Sequence, residues 1–353
     1  MSEKTKISWC DSTVNFWEGC TEISDGCAHC YAKDRNKRWH SSTKKLGFNI
    51  KPTAPNWGKG APRRKCLGAV KNAFAFNRNP WVCDECGKAQ EIKEIDPYEH
   101  VGCFCGGDTH RRRIFSLSLG DWLDDEVPIE WLAEMLDTIR QCDQVRWILC
   151  SKRWENFKER LTRVMIHFEN TPETSPRTST WKWVLDWVVG DKIPSNIIGL
   201  CSVENQKAAD ERIPQFLTVP LACRGLSMEP LLGPVNLVST STQRGAHFKT
   251  ITGTDWLNDG KISWLIIGGE SGPNARPCNV DWIRSIMQQG RVAGVTTFVK
   301  QLGAKPEGGK WPQCEREMGN FGRCDWSTMS DKKGGDPSEW PRDLQVQQWP
   351  KGF

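Results

Sequence analysis

Between residues 111 and 303 the chain repeats one pattern. Short apolar runs ending in polar groups alternate with longer stretches of helical periodicity. The runs are RRRIFSLSLGD (111–121), VRWILCSKR (145–153), IIGLCSVEN (197–205), LACRGLSMEP (221–230), ISWLIIGGESG (262–272) and VTTFVKQLG (295–303). Each predicts a buried strand, because near-continuous apolar character suits a strand covered on both faces. Residues 126–141 place Val127, Leu132, Met135, Leu136 and Ile139 on one helical face, and 154–168, 206–217 and 280–290 also read as helices. At the start of the chain, 7–19 reads as a short strand and loop, and Ala28 to Trp39 as a helix. Six or seven β-then-α units in series imply a parallel sheet with helices over it. No glycine-rich phosphate fingerprint follows the first strand, so the predicted fold class is α/β, a partial or complete (β/α) barrel.

The remaining segments break this rhythm. The pattern divides the chain into 1–41 (first strand and cysteine loop), 42–82 (a basic aromatic excursion), 83–110 (a cysteine-bearing insertion), 111–303 (the other barrel units) and 304–353 (a tail packed on the barrel). Within 111–303, two further insertions fall at 170–192 and 239–261. The first carries Trp181, Trp183 and Trp187, whose spacing suits no single face and leaves that segment unassigned. In 42–82, Pro, Gly, Lys and Asn dominate, and only a short helix near 68–76 stands out.

Composition narrows the class. A mean hydropathy of −0.57 and 26% charged residues predict a soluble globular protein. No apolar run approaches the ~20 residues that span a bilayer, and MSEKTKISWCDS lacks the apolar core of a signal peptide. The expectation is therefore a cytoplasmic protein with no membrane partner. Sixteen cysteines are many for a reducing compartment, where clustered thiols serve as metal ligands or catalytic groups. Nine are dispersed (Cys10, Cys66, Cys142, Cys150, Cys201, Cys223, Cys278, Cys314 and Cys324) and read as small buried or incidental residues. The net charge of +5 is unevenly placed. From Arg35 to Val82 there is no Asp or Glu, while basic residues from Arg35 to Arg78 alternate with Trp39, Phe48, Trp57, Phe74, Phe76 and Trp81. Cations neutralise phosphates and exposed rings stack on bases, so DNA or RNA is the expected partner.

The other seven cysteines form two clusters. Cys20, Cys27 and Cys30 are spaced C-x6-C-x2-C at the end of the first strand and the start of the following helix. Three thiolates can hold three corners of a four-iron cluster and leave the last iron open for a small molecule, whereas closed sites take four protein ligands. Cys83 and Cys86 form a C-x2-C knuckle, and Cys103 and Cys105 a C-x-C pair, with glycines at the turns. Two thiolate pairs satisfy tetrahedral Zn2+, which predicts a closed, zinc-ribbon-like structural site. His100 and His110 lie close enough in sequence to replace one ligand.

Barrel enzymes place their sites at the C-terminal ends of the strands. There this chain has Ser118 and Asp121, then Ser151, Lys152 and Arg153, then Ser202, Glu204 and Asn205, then Ser227 and Glu229, then Glu270 and Ser271, and finally Lys300 and Gln301. Lys152, Glu204, Glu229 and Glu270 are the candidate catalytic groups. A single one of these residues can equally be a helix cap or a rim ion pair. Ser202 and Asn205, for example, are well placed to cap the next helix.

A three-cysteine loop at the first strand end of a (β/α) barrel resembles the radical S-adenosylmethionine (SAM) enzymes. Their usual spacing is C-x3-C-x2-C, so the first gap is longer here. More closely, the chain resembles a phage and prophage family of three-Cys-motif, radical SAM-like proteins, distantly similar to spore photoproduct lyase. The resemblance rests on WEGCTEISDGCAHCYA, RIFSLSLGDWLDDEVP, ILCSKRWEN, GLCSVENQKAADERIP, LSMEPLLGPV, WLIIGGESGPNARP and TTFVKQLG. It implies a barrel of radical SAM type, with a [4Fe-4S] cluster on Cys20, Cys27 and Cys30 and SAM chelated at the open iron. It also implies an electron donor such as flavodoxin or ferredoxin. His29 matches the position that meets the adenine. Ser118, Asp121, Ser202 and Asn205 are the implied SAM contacts, and Lys152 could meet the SAM carboxylate or a substrate phosphate. Many relatives bind the SAM amino group through a GGE motif after the second strand. Here Gly268-Gly269-Glu270 follows the sixth, so that role does not carry over. The 83–105 segment looks particular to this protein.

The expected function is thus radical SAM modification or repair of a nucleic-acid base. Two alternatives remain open. One is a nucleic-acid-binding protein with structural Fe-S and zinc sites, which would need a fourth ligand on the first cluster, Cys10 being the obvious one. The other is a radical SAM enzyme acting on a small molecule.

Overall fold

The computed structural model describes residues 5–40, 54–90, 103, 105–170, 175–238, 255–308 and 326–352. Its strands are β1 (Ser12–Val14), β2 (Trp17–Glu18), β3 (Arg64–Lys65), β4 (Trp81–Cys83), β5 (Ala89–Gln90), β6 (Thr109–Arg111), β7 (Arg113–Ser116), β8 (Arg146–Ser151), β9 (Ile197–Ser202), β10 (Cys223–Met228), β11 (Trp264–Gly268), β12 (Cys278–Asn279), β13 (Thr296–Gln301) and β14 (Pro306–Glu307). Its helices are α1 (Tyr31–His40), α2 (Ala69–Arg78), α3 (Ile129–Gln141), α4 (Phe157–Glu169), α5 (Ser175–Val189), α6 (Gln206–Leu217) and α7 (Val280–Ala293). Among the described residues the main sheet has seven strands, in the order β1-β7-β8-β9-β10-β11-β13. The pairs β1/β7, β7/β8, β10/β11 and β11/β13 are parallel. Strands that neighbour one another in chain order, with helices between most of them, are compatible with a partial (β/α) barrel.

The chain separates into two compact units. The first comprises residues 1–200 with 218–222 and 352–353, and the second 201–217 with 223–351. The first unit is built on tryptophan. Trp122 stacks on Trp187 with ring centroids 6.2 Å apart and meets Trp154 edge-on at 5.5 Å. Trp187 belongs to α5, so the unassigned 170–192 segment contains a helix packed on α3 and α4. Its tryptophans split their roles, which is why no simple face is visible in the sequence. Trp187 is buried in the core, whereas Trp181 donates from Nε1 to Glu169 at 3.0 Å.

The 42–82 excursion also differs from expectation. Its described part includes α2, which packs on α3 and β1 and buries Ala69 and Ala73. Arg112 lies over the Phe76 ring of this helix at 4.8 Å. The cysteine-bearing insertion is likewise fastened to the body. Its three antiparallel strands run in the order β5-β4-β6, and β6 leads through Arg112 straight into β7.

In the second unit the C-terminal segment runs along β13. Val299 N–H donates to the Val346 carbonyl at 2.8 Å, Gln348 N–H to Thr297 at 3.1 Å, and Trp349 meets Phe298 edge-on at 4.9 Å. This covers backbone groups that a bare edge strand would expose. The 239–254 and 309–325 segments lie outside the described residues.

Candidate metal centres

The loop carrying Cys20, Cys27 and Cys30 is held from three sides, all within the first unit. Its entry is β2, which pairs antiparallel with β3. Glu18 on β2 is fully buried. Its carboxylate accepts from Asn36 of α1 at 2.8 Å and pairs with Arg64 of β3 and with Arg35 of α1. One acidic side chain thus ties together the strand before the cysteines, the helix after them and the returning 54–65 segment. Gly19 follows at φ +122°, where a side chain is strained, and a Cβ there would run into the Asn56 carbonyl. Gly19 N–H donates to the Leu119 carbonyl at 3.0 Å, and Gly58 N–H to Cys20 at 3.0 Å.

Two buried guanidiniums grip the next residue, Thr21. Arg63 Nη2 donates to the Thr21 hydroxyl at 2.8 Å, and Arg153 Nη2 to the Thr21 carbonyl at 2.6 Å. Arg63 also pairs with Asp124 and Glu126 and donates to the Gly58 and Ala61 carbonyls. Arg153 Nη1 bonds Asp121 at 2.9 Å and lies 3.6 Å from Cys20 Sγ. Asp121 is itself saturated by Ser151 Oγ at 2.7 Å, Leu123 N–H at 3.0 Å and Lys152 N–H at 3.2 Å. It therefore orients Arg153 instead of offering a free carboxylate.

Downstream, a single 3-10 turn (Asp25–Cys27) precedes α1, which begins at Tyr31. The helix thus starts just beyond Cys30, not at Ala28 inside the loop, and His29 sits half-buried in the connecting turn. Burial pushes the Cys30 thiol up, while the N–H groups of Lys33 and Ala32 and the Lys152 ammonium act in the opposite direction. Burial, helped by the Asp121 charge, pushes Cys20 up to about 12 against the pull of Arg153. A metal must displace protons from such thiols, which couples its binding to pH. Ser118 sits on the same side of this unit. Its Oγ accepts from Asn15 at 3.1 Å, and its carbonyl accepts from the Tyr31 hydroxyl at 2.5 Å. The preceding residue, Leu117, is buried at φ +62°, a rare conformation for a bulky side chain at a strand end.

Cys10 is buried before the N-terminal end of β1, and its thiol lies 3.8 Å from the Ile7 carbonyl. Among the other dispersed cysteines, Cys142, Cys201, Cys223 and Cys278 are buried and Cys66 and Cys150 half-buried. Cys314 and Cys324 lie outside the described residues.

The second group is compact. The Sγ atoms of Cys83, Cys86, Cys103 and Cys105 all lie within 4.8 Å of one another. Cys83 is 3.4 Å from Cys105, and Cys86 is 3.7 Å from Cys103. Metal–sulfur bonds of about 2.3 Å in a tetrahedron separate the sulfurs by roughly 3.8 Å, so the donor set fits one ion. The Cys86 N–H points at Cys83 Sγ at 3.5 Å, as in a metal knuckle, and Gly87 and Gly106 make the turns at positive φ. The backbone N–H of Cys86 leads the groups that lower Cys83 to about 7. His110 is not among the ligands. It bridges Asp84 (2.7 Å) and Asp11 (2.9 Å) and so joins the knuckle to the residue preceding β1. His100 lies outside the described residues.

The remaining candidates lie in the second unit, and each has a defined partner. Glu204 is buried in a two-point pair with Arg212, at 2.7 and 3.2 Å. Arg212 also donates to the Ser202 carbonyl at 2.8 Å. Asn205 accepts from Ala208 N–H at 2.9 Å and caps α6. Glu229 pairs with Lys300 and accepts from Gln301 at 3.1 Å. Glu270 accepts from the Arg276 backbone at 2.8 Å and from its guanidinium at 2.6 and 2.9 Å. These carboxylates are neutralised by cations in the same unit.

Sequence reasoning missed the structural weight of Arg63 and Arg153. Arg153 was visible only as one member of a strand-end list. Arg63 is hidden in a basic run, where a buried arginine looks like a solvated one.

An α/β protein with a sequential parallel sheet, a tight four-cysteine group and a separate three-cysteine loop is the class defined by these features. The chain belongs to DUF5131, a family described as a protein of unknown function, whose model matches residues 4–336. No curated protein matches the sequence.

Proposed function

We propose that this protein is a radical SAM enzyme that carries a [4Fe-4S] cluster on Cys20, Cys27 and Cys30 and acts on a nucleic-acid base. The observation that carries the reading is the fastening of the three-cysteine loop at the C-terminal side of β1 and β2, while the ribbon cysteines are occupied with one another. The loop cysteines are not part of the tight four-sulfur grouping.

The chemistry supplied at such a centre is one-electron cleavage of SAM to methionine and a 5′-deoxyadenosyl radical, which takes hydrogen from the substrate. The chain's residues hold and shield this site. Arg63 and Arg153 fasten Thr21 beside Cys20, α1 presents its N–H groups to Cys30, and Lys152 adds positive charge near Cys30. Zinc is our assignment for the four-cysteine group, in a structural role, because four protein thiolates close a tetrahedral site.

The nucleic-acid part of the reading rests on the 35–82 stretch. Arg35, Lys37, Arg63, Arg64 and Lys65 are engaged in ion pairs. Lys59, Lys71 and Arg78 are exposed, and Trp39 is 71% exposed beside Arg35. Lys44, Lys45 and Lys51 lie outside the described residues.

Anaerobic reconstitution tests the enzyme reading. Iron and sulfide should bind, and reduction with SAM present should release 5′-deoxyadenosine. Protein that takes up iron but never cleaves SAM supports the structural Fe-S alternative instead. Binding to DNA or RNA should weaken steeply as salt rises. Salt-insensitive or absent binding favours a small-molecule substrate.

A further inference from the structure

We infer that Arg153 is a positioning residue that holds the Cys20 thiolate and raises the reduction potential of a cluster on the loop. This rests on the function proposed above. Arg153 is 5% exposed. Its Nη1 lies 3.6 Å from Cys20 Sγ and 2.9 Å from Asp121 Oδ2, and its Nη2 lies 2.6 Å from the Thr21 carbonyl. The guanidinium is therefore fixed on three sides. Asp121 sets its plane and is locked in turn by Ser151, Leu123 and Lys152.

A cluster gains negative charge on one-electron reduction by a low-potential donor. A cation hydrogen-bonded to one of its sulfurs stabilises that reduced form, and hydrogen bonds to sulfur are a recognised control of cluster potential. Burial keeps the interaction from being screened. Lysine cannot reproduce it. Its single ammonium lacks the planar fork that reaches Cys20, Asp121 and Thr21 together.

The test is a dithionite titration followed by electron paramagnetic resonance on reconstituted wild type, R153K, R153M and the double variant R153M/D121N. The double variant matters because R153M alone leaves the Asp121 charge unpaired, which would shift the potential by itself. Zinc content serves as the check on folding. At a fixed applied potential, the reduced-to-oxidised ratio should fall about tenfold in the double variant, equivalent to about 59 mV for a one-electron couple. R153K should shift less, in the same direction. Wild-type ratios in both variants, at full iron content, overturn the inference and leave the enzyme reading intact. Loss of loop iron from every Arg153 variant, R153K included, also overturns the electronic role and leaves Arg153 as a loop fastening. If wild type takes up no more iron than C27A, the enzyme reading falls and this inference with it.

Discussion

The two cysteine groups solve opposite problems with the same side chain. In the ribbon, the four thiols are aimed at one another by their own local backbone. The Cys83–Cys86 turn brings an N–H to sulfur, and Cys83 falls to about 7, while against the pull of the Cys105 N–H, hydrogen bonds shared with Cys105, Cys83 and Cys86 push Cys103 up to about 12. In the loop, Cys20 is held by a residue far away in sequence, whereas Cys27 lies 3.8 Å from Ser24 Oγ and Cys30 is met by the N–H groups of Lys33 and Ala32. Cys20 meets Arg153, 133 positions downstream, and burial pushes its thiol up to about 12. The four-cysteine group lies within one short stretch of chain, whereas Cys20 relies on a partner that the fold brings to it.

The largest effects should come from separating the two groups. C27A should abolish loop iron and SAM cleavage while leaving zinc at wild-type level, and C83S should lose zinc while keeping iron. Metal analysis of the two purified variants checks this, and equal loss of both metals in either one would erase the distinction. C83S should also destabilise the protein by several kcal/mol, since structural zinc contributes on the order of 10 kcal/mol of binding free energy in isolated fingers.

A smaller effect is expected at the loop entry. Gly19→Ala places a side chain at φ +122° against the Asn56 carbonyl. Strain of this kind costs about 1–3 kcal/mol. Iron occupancy after reconstitution should fall, with zinc unchanged. Full iron content in G19A would mean that the loop adapts more freely than its fastenings suggest.

The smallest effect concerns the link between the ribbon and β1. Burial alone would raise the Asp11 carboxyl, but the hydrogen bond from His110 and the Arg113 charge hold it at about 2. Its folded value lies below the ordinary value near 4, so its contribution is present above pH ~4 and is lost as pH falls through about 2. That contribution is about 2 kcal/mol at most. Asp11→Asn should therefore lower the urea midpoint at pH 7, and the difference from wild type should shrink at pH 3. A difference that is constant with pH would assign the effect to shape instead of charge.

The apolar runs at 113–116, 146–151, 197–202, 223–228, 264–268 and 296–301 lie in the sheet where periodicity placed them. Buried strands and amphipathic helices are written in local hydrophobic pattern, so they are legible one segment at a time. The four ribbon cysteines were legible for the same reason, because knuckle spacing and turn glycines lie next to their ligands.

Partnership decided the rest. A sequence lists Arg63, Arg153, Glu204, Glu229 and Glu270 as charges and does not say which are spent on one another. Arg63 reads as part of a basic surface and is buried between Asp124, Glu126 and Thr21. Asp121 reads as a cofactor ligand and is saturated by its own strand neighbours. Trp187 belongs to no visible helical face because its partner is Trp122, 65 residues earlier. The sequence alone determined the α/β repeat and the two cysteine groups, since those depend on spacing along the chain. Only the tertiary structure decided which charges remain available, because pairing depends on distances that the order of residues does not contain.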